Sequence, residues 1–266
     1  MMARERTLTG VCQSVEAGAS PRTFSAAELD NDRLSAFRRL TLDSALAEIL
    51  RRFDVHEVQS LLLKGAAFAS WLYDDPRERP YGDVDLLIRP DQFDLAKGVL
   101  VELNFELSEP HTSIRFSVKT CLERAAYHER WVRQGTLPVE VELHHTLGLV
   151  SSQMSHPGAS PALVWERLTE DVRVIEVGGA HVHVPSPVVS ALIVALHAAF
   201  HEGSHWPTPG GGPPPPMRDL HQAIARADLP TWRAAATLAG ELGAGPAFTA
   251  GLRLDPAGRE LSARLG

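Results

Sequence analysis

The sequence has little sulfur with which to cross-link itself: two cysteines, Cys12 and Cys121, in 266 residues. They stand far apart and outside any C-x-x-C pattern, which argues for reduced thiols of a cytoplasmic protein rather than a disulfide or zinc scaffold. Excess positive charge is also missing. The formal net charge is −7, so a broad nucleic-acid surface, which would be basic, is not expected. A local basic pocket for one phosphate chain remains compatible with that total. No apolar run approaches the roughly 20 residues that a membrane helix needs, and "MMARERTLTGVCQS" lacks the apolar stretch of a secretory signal. No Gly-x-Ser-x-Gly or Walker-type loop appears, which leaves a serine hydrolase or P-loop kinase without support. What is present, 44% apolar and 22% charged residues, suffices for an ordinary core. A soluble, intracellular protein is expected.

Along the chain, residues 1–24 are small and polar, without periodicity, and read as a loose leader. From Ser25, a plausible N-cap, "SAAELDNDRLSAFRRLTLDSALAEILRRF" spaces its apolar residues by three and four, as a helix does. "VQSLLLKG" (residues 58–65) reads as a buried strand ending at a glycine, "AAFASWLY" as a short helix and "DDPRERP" as a loop. "RPYGDVDLLI" (residues 79–88) supplies the next strand, a helix runs from Pro90 to about Leu103, and "FELS" is a further strand candidate. "AYHERWVRQGTLPVEVELHHTL" reads as two strands around Gln134-Gly135, the second alternating Val139, Val141 and Leu143 with Glu140, Glu142 and His144. Residues 25–150 thus form an α+β (mixed α/β) core.

Beyond residue 151 the pattern predicts a mostly helical C-terminal domain, residues 151–266. It contains a short helix near 164–168, a hairpin turning at Gly178-Gly179, and a helix opened by Ser186-Pro187, cap and first-turn proline in the favoured order. A Gly/Pro-rich loop at 203–216 follows, a mobile flap or a plain connector, and then three or four short helices.

Two aspartates at the entrance of an apolar strand require a reason, because Asp is depleted in strands. Strand alternation puts Asp83 and Asp85 on one face, about 7 Å apart, with Val84 and Leu86 on the other. Such a pair can share Mg²⁺, which completes its shell with water and phosphate oxygens; alone, it is equally an acidic strand edge. Lys64-Gly65 lies at the preceding strand-to-helix junction, where free backbone N–H groups and the helix dipole suit a phosphate. Lys64 and Arg79 could add cationic charge there, or Lys64 be a solvated lysine and Gly65 a turn residue. A third carboxylate is sought on "VEVELHH", where periodicity does not choose among Glu140, Glu142 and His144.

Taken together, "LLLKGAAFASWLYDD…RPYGDVDLLI…VEVELHH" resembles the uncharacterised nucleotidyltransferase family within the DNA polymerase β-like superfamily. The likeness spans about residues 58–147 and continues weakly through "ALIVALHAAFH" (residues 191–201) and "MRDL" (residues 217–220). It implies a polymerase-β-like nucleotidyltransferase core with a mixed sheet. It implies Asp83 and Asp85 as metal aspartates, Glu142 as the third catalytic and metal carboxylate, and Lys64, Gly65, Ala66 and Arg79 at the nucleotide. The implied cofactor is Mg²⁺, as two ions, and the implied substrates are a nucleoside triphosphate and an acceptor hydroxyl or phosphate on a small molecule, peptide or protein. Glu142 would bridge an ion or act as general base, and pyrophosphate would leave. Two positions depart from the superfamily's pattern: Ala66 replaces the usual Ser, and Glu142 the usual Asp. They motivate an alternative, a catalytically silent nucleotide-binding or interaction module.

The remaining polar residues are ambiguous. His197 and His201 share one helix face, with His205 beyond, yet Ala198 stands where a metalloprotease motif needs Glu. With His144 they line an acceptor cleft or simply pack. His181 and His183 read as surface residues of a hairpin. Asp219 braces its helix or faces the acceptor.

Overall fold

The computed structural model of the protein describes residues 26–108, 127–148, 158–201 and 214–266. The leader expected over residues 1–24, the Ser25 cap, both cysteines, His205 and residues 203–213 of the Gly/Pro segment lie outside the described residues. Helix α1 (Ala26–Val55) buries Leu42, Ala45, Leu46, Ile49, Leu50 and Phe53. That spacing forms one stripe along a helix and fixes which side meets the core.

Five strands follow: β1 (Ser60–Leu62), β2 (Val84–Ile88), β3 (Glu106–Leu107), β4 (His128–Arg133) and β5 (Val139–His144). Their order in the sheet is β1-β2-β5-β4-β3. The central pair β2–β5 is parallel and every other pairing is antiparallel, so the sheet is mixed and the fold is α+β, as expected. Between β1 and β2 lies helix α2 (Ala66–Leu72), and α3 (Phe93–Glu102) follows β2. A parallel pair needs a crossover rather than a tight turn, which residues 89–138 provide.

All five residues of β2 are buried, because the sheet is covered on both faces. Leu62, Val84, Leu86, Ile88, Val139, Val141 and Leu143 pack with α1 and α3 in one core. Leu61, Leu63 and Leu87 join the other core, with α2 and the C-terminal helices. The side chains alternate as the sequence pattern predicts; the second face meets helices where a solvent-facing edge was one of the readings.

The C-terminal half comprises α4 (Pro161–Thr169), the hairpin β6 (Val172–Val177) and β7 (Ala180–Pro185), and helices α5 (Pro187–Phe200), α6 (Pro215–Arg226), α7 (Leu229–Glu241), α8 (Gly245–Arg253) and α9 (Pro256–Leu265). The hairpin's Val177, Val182 and Val184 belong to the core of α1 and the sheet, so residues from both sides of position 150 build that core. His181 and His183 on β7 are exposed. Ser186 caps α5 as expected, its hydroxyl accepting from the Val189 amide at 3.5 Å with Pro187 at the first helical position. Helix α5 is buried almost all round by α6, α7 and α8. Helix α6 begins at Pro215, inside the segment expected to be irregular, because a first-turn proline lacks only an N–H that would have no helical partner. Among the described residues no helix is long and apolar enough to cross a membrane.

Candidate active site

The parallel register of β2 and β5 sets Asp85 opposite Glu142 and Leu87 opposite His144. Alternation carries Asp85, Glu142 and His144 onto the sheet face that meets the C-terminal helices, since their neighbours Val84, Leu86, Val141 and Leu143 pack on the other. Asp85 is 1% exposed. Its Oδ1 lies 2.6 Å from Lys64 Nζ and 3.1 Å from His144 Nε2, and the same ring nitrogen lies 3.4 Å from Glu142 Oε2. His128 on β4 faces His144 across the sheet, its Nε2 3.5 Å from Glu142 Oε1 and its ring 5.2 Å from that of His144. Glu140 turns to Arg130, which donates to it at 2.6 Å. Of the three candidates that periodicity left open, strand register thus sets Glu142 opposite Asp85 and His144 beside it, while Glu140 is engaged by Arg130.

The electrostatics follow from crowding acids in a dry place. Burial, then the charge of Asp85, pushes the Asp83 carboxyl up to about 7. Asp83 sits in the bend just before β2. Burial works against the Lys64 ammonium but is outweighed by Asp85, Glu142 and Asp83, which hold it above the ordinary lysine range. The same contest raises His144: its burial is outweighed by hydrogen bonds to Asp85 and Glu142. Glu142, though buried, is held well below the carboxylate range by His144 and then Lys64. His128 is lowered to about 4, chiefly by burial. Lys64 and His144 are thus the cationic partners that the fold supplies to these carboxylates. One ligand atom each from Asp85, Glu142 and His144 lies within 4.8 Å of the others, a spacing that one divalent cation can span. The two carboxylates of this set, Asp85 and Glu142, are ligands that suit Mg²⁺; the third member is His144, and Asp83, expected as a metal aspartate, is not one of the three. These residues fit a metal ion.

Gly65 closes the junction between β1 and α2 with φ 58° and ψ −119°, a backbone conformation that an L side chain rarely adopts. A Cβ there would lie 3.6 Å from the Tyr81 ring and 3.8 Å from the Asp83 carbonyl, so the junction lies close against the segment leading into β2. Ala66 is buried at the start of α2. Arg79 is buried too, and its guanidinium is engaged by Asp219 of α6, with Nη2–Oδ2 at 2.7 Å. The sequence reading put Arg79 at the nucleotide and had Asp219 brace its helix or face the acceptor; the structure brings the two together as a pair. His197 of α5 is held neutral by burial and then by Lys64, and its ring meets that of His201 at 4.7 Å. At the end of α5, Phe200 packs edge-on to Tyr127, 5.7 Å between centroids.

Two features escaped the sequence reading: His128 beside Glu142, and the Arg79–Asp219 pair. The first depends on the β4–β5 register, which an apolar/polar pattern does not specify without the turn geometry. The second joins residues 140 positions apart, with no local signal at all.

A family model described as "Uncharacterised nucleotidyltransferase" matches residues 1–255, and the chain belongs to that family. No curated protein matches it in sequence. Among solved structures, a nucleotidyltransferase-like antigenic protein from Paracoccidioides brasiliensis is similar at 20% identity and a TM-score of 0.43, over 80% of this chain and 93% of that one. The antibiotic-resistance factor ANT(2'')-Ia is similar at 13% identity and a TM-score of 0.45, over 77% of this chain and 95% of that one.

Proposed function

We propose that the protein is a Mg²⁺-dependent nucleotidyltransferase that moves a nucleoside monophosphate from a triphosphate to an acceptor hydroxyl or phosphate, releasing pyrophosphate. The observation that carries this reading is the in-register placement of Asp85 and Glu142 on adjacent parallel strands, with Lys64 at 2.6 Å. Asp83, Asp85 and Glu142 would hold Mg²⁺, which when bound offsets phosphate charge and stabilises the entering and leaving oxygens of an in-line displacement. Lys64 remains charged in this setting and supplies a cation for the phosphate chain. Gly65 and Ala66 give the triphosphate a close backbone approach. Glu142, held ionised well below the carboxylate range, is a weak proton acceptor, which supports a ligand's role over that of general base. His197 and His201 stand on the acceptor side in this reading, and a cytoplasmic location, where triphosphates are kept, goes with it.

Calorimetry with Mg²⁺ and each triphosphate, followed by pyrophosphate release and mass spectrometry of candidate acceptors, tests the proposal. Binding, pyrophosphate and a nucleotide-monophosphate mass gain are expected, all abolished by Asp85→Asn. Binding without turnover across a wide acceptor panel would favour a silent nucleotide-binding module; no binding at millimolar triphosphate would refute the enzyme and favour the silent interaction module.

A further inference from the structure

We propose that Asp219, acting through Arg79, is a positioning residue for the Lys64–Gly65 junction, an inference that rests on the nucleotidyltransferase reading above. Both partners are out of solvent, Arg79 at 8% and Asp219 at 1% exposure. The pairing is two-pronged: Arg79 Nε lies 2.9 and 3.1 Å from the two Asp219 oxygens, and Nη2 lies 2.7 Å from Oδ2. Tyr73 donates its hydroxyl to Asp219 Oδ1 at 3.1 Å. A guanidinium held along one edge by a carboxylate has its remaining direction set, because the group is planar and rigid.

That remaining edge meets the junction. Arg79 Nη1 donates to the Gly65 carbonyl oxygen at 3.2 Å, and the same oxygen accepts from the Ala69 amide at 3.0 Å. The guanidinium also lies over the Phe68 ring, 5.2 Å from its centroid. A trans peptide is planar, so fixing the Gly65 oxygen fixes the whole Gly65–Ala66 plane. Gly65 itself imposes little restraint, since glycine samples positive and negative φ freely. The unusual φ 58°, ψ −119° at this residue is therefore held by its partners: amides of α2's first turn bond the Lys64 and Gly65 carbonyls, and Arg79 adds the one bond to the Gly65 oxygen that comes from a charged side chain. Lys64 leaves the chain one residue earlier and reaches Asp85 at 2.6 Å; its own carbonyl accepts from the Ala67 amide at 3.1 Å, so the planes on both sides of Gly65 are tied to the start of α2.

The pair is poorly explained as a device for stability alone. Removing two charges from water offsets most of their attraction, and apolar residues of similar volume commonly stabilise a buried site as well or better. Directional fixing is what an apolar pair would not supply. Helix α6 thereby orients a junction in the first half of the chain, and Arg79 serves the phosphates from behind the backbone.

The test uses the full-length protein, Mg²⁺ and the four α,β-methylene nucleoside triphosphates, with binding read by calorimetry. Asp219→Asn is expected to weaken the tightest of these at least ten-fold, and Asp219→Glu to recover part of the loss. Amide hydrogen exchange over residues 64–69 is expected to quicken at least ten-fold in Asp219→Asn. Should Asp219→Asn fail to fold, the double variant Arg79→Met/Asp219→Leu decides: recovery of the wild-type melting temperature without recovery of affinity supports positioning. Affinity that returns with the melting temperature, or folded variants that bind as wild type does, would overturn the inference alone. Wild-type protein that binds none of the four analogues would overturn the nucleotidyltransferase reading, and this inference with it.

Discussion

Neutralising Asp85 separates what its charge does for folding from what it does for chemistry. The carboxylate is 1% exposed and sits 2.6 Å from a lysine whose side chain is only 16% exposed. Asp85→Asn keeps the volume and strands the Lys64 ammonium. Removing one partner of a buried pair costs about 3–5 kcal/mol. Asp83 and Glu142 still face Lys64, so the lower end applies, about 3 kcal/mol. For a chain of this size that corresponds to a fall of about 6–12 °C in melting temperature. Adding Lys64→Met removes the stranded charge, and the double variant is expected to return to within about 1 kcal/mol of wild type. Circular-dichroism melts of the four proteins in EDTA measure the cycle without interference from metal. Triphosphate binding in Mg²⁺ and pyrophosphate release are expected to stay lost in the double variant, because the charges that face cation and phosphates are gone. Purely additive losses of stability would show that the ion pair is not what accommodates Asp85. A double variant that still transfers nucleotide would remove Asp85 from the chemistry.

Further perturbations probe neighbouring features. Gly65→Ala forces an L side chain into φ 58°, ψ −119° without a steric clash; a cost of about 1–3 kcal/mol is expected in denaturant titrations, together with weaker triphosphate binding. His197 is held well below the usual histidine range by burial, so on acidification the unfolded chain takes up its proton first. Stability is therefore expected to fall as pH drops below about 6.5, at up to roughly 1.4 kcal/mol per pH unit from this residue. His197→Asn should flatten that part of the curve in urea titrations between pH 7 and 5, and an unchanged slope would refute the assignment. Gly251 of α8 lies so close to α5 that an added Cβ would overlap the Ala195 carbonyl. Gly251→Ala is expected to cost about 1–3 kcal/mol, and a neutral result would mean that the two helices separate readily.

Much of this protein is legible residue by residue. The three- and four-residue spacing from Leu42 to Phe53 marks α1, Ser186-Pro187 marks the start of α5, and alternation in "VEVELH" marks β5, because each signal is local and set by backbone geometry. The carboxylate pair before an apolar strand, the Lys-Gly junction and their order along the chain are equally visible, and they carry the family resemblance. Tertiary structure alone decided the rest. Glu142 rather than Glu140 meets Asp85 because β2 and β5 align in parallel register; a shift by one residue would send the whole face elsewhere. Asp85 is buried because helices from the second half of the chain cover that side of the sheet, and burial is what makes its carboxylate depend on the partners Lys64 and His144. Arg79 meets Asp219 because the fold brings residues 140 positions apart into contact, and attraction between distant charges leaves no periodic mark in a sequence.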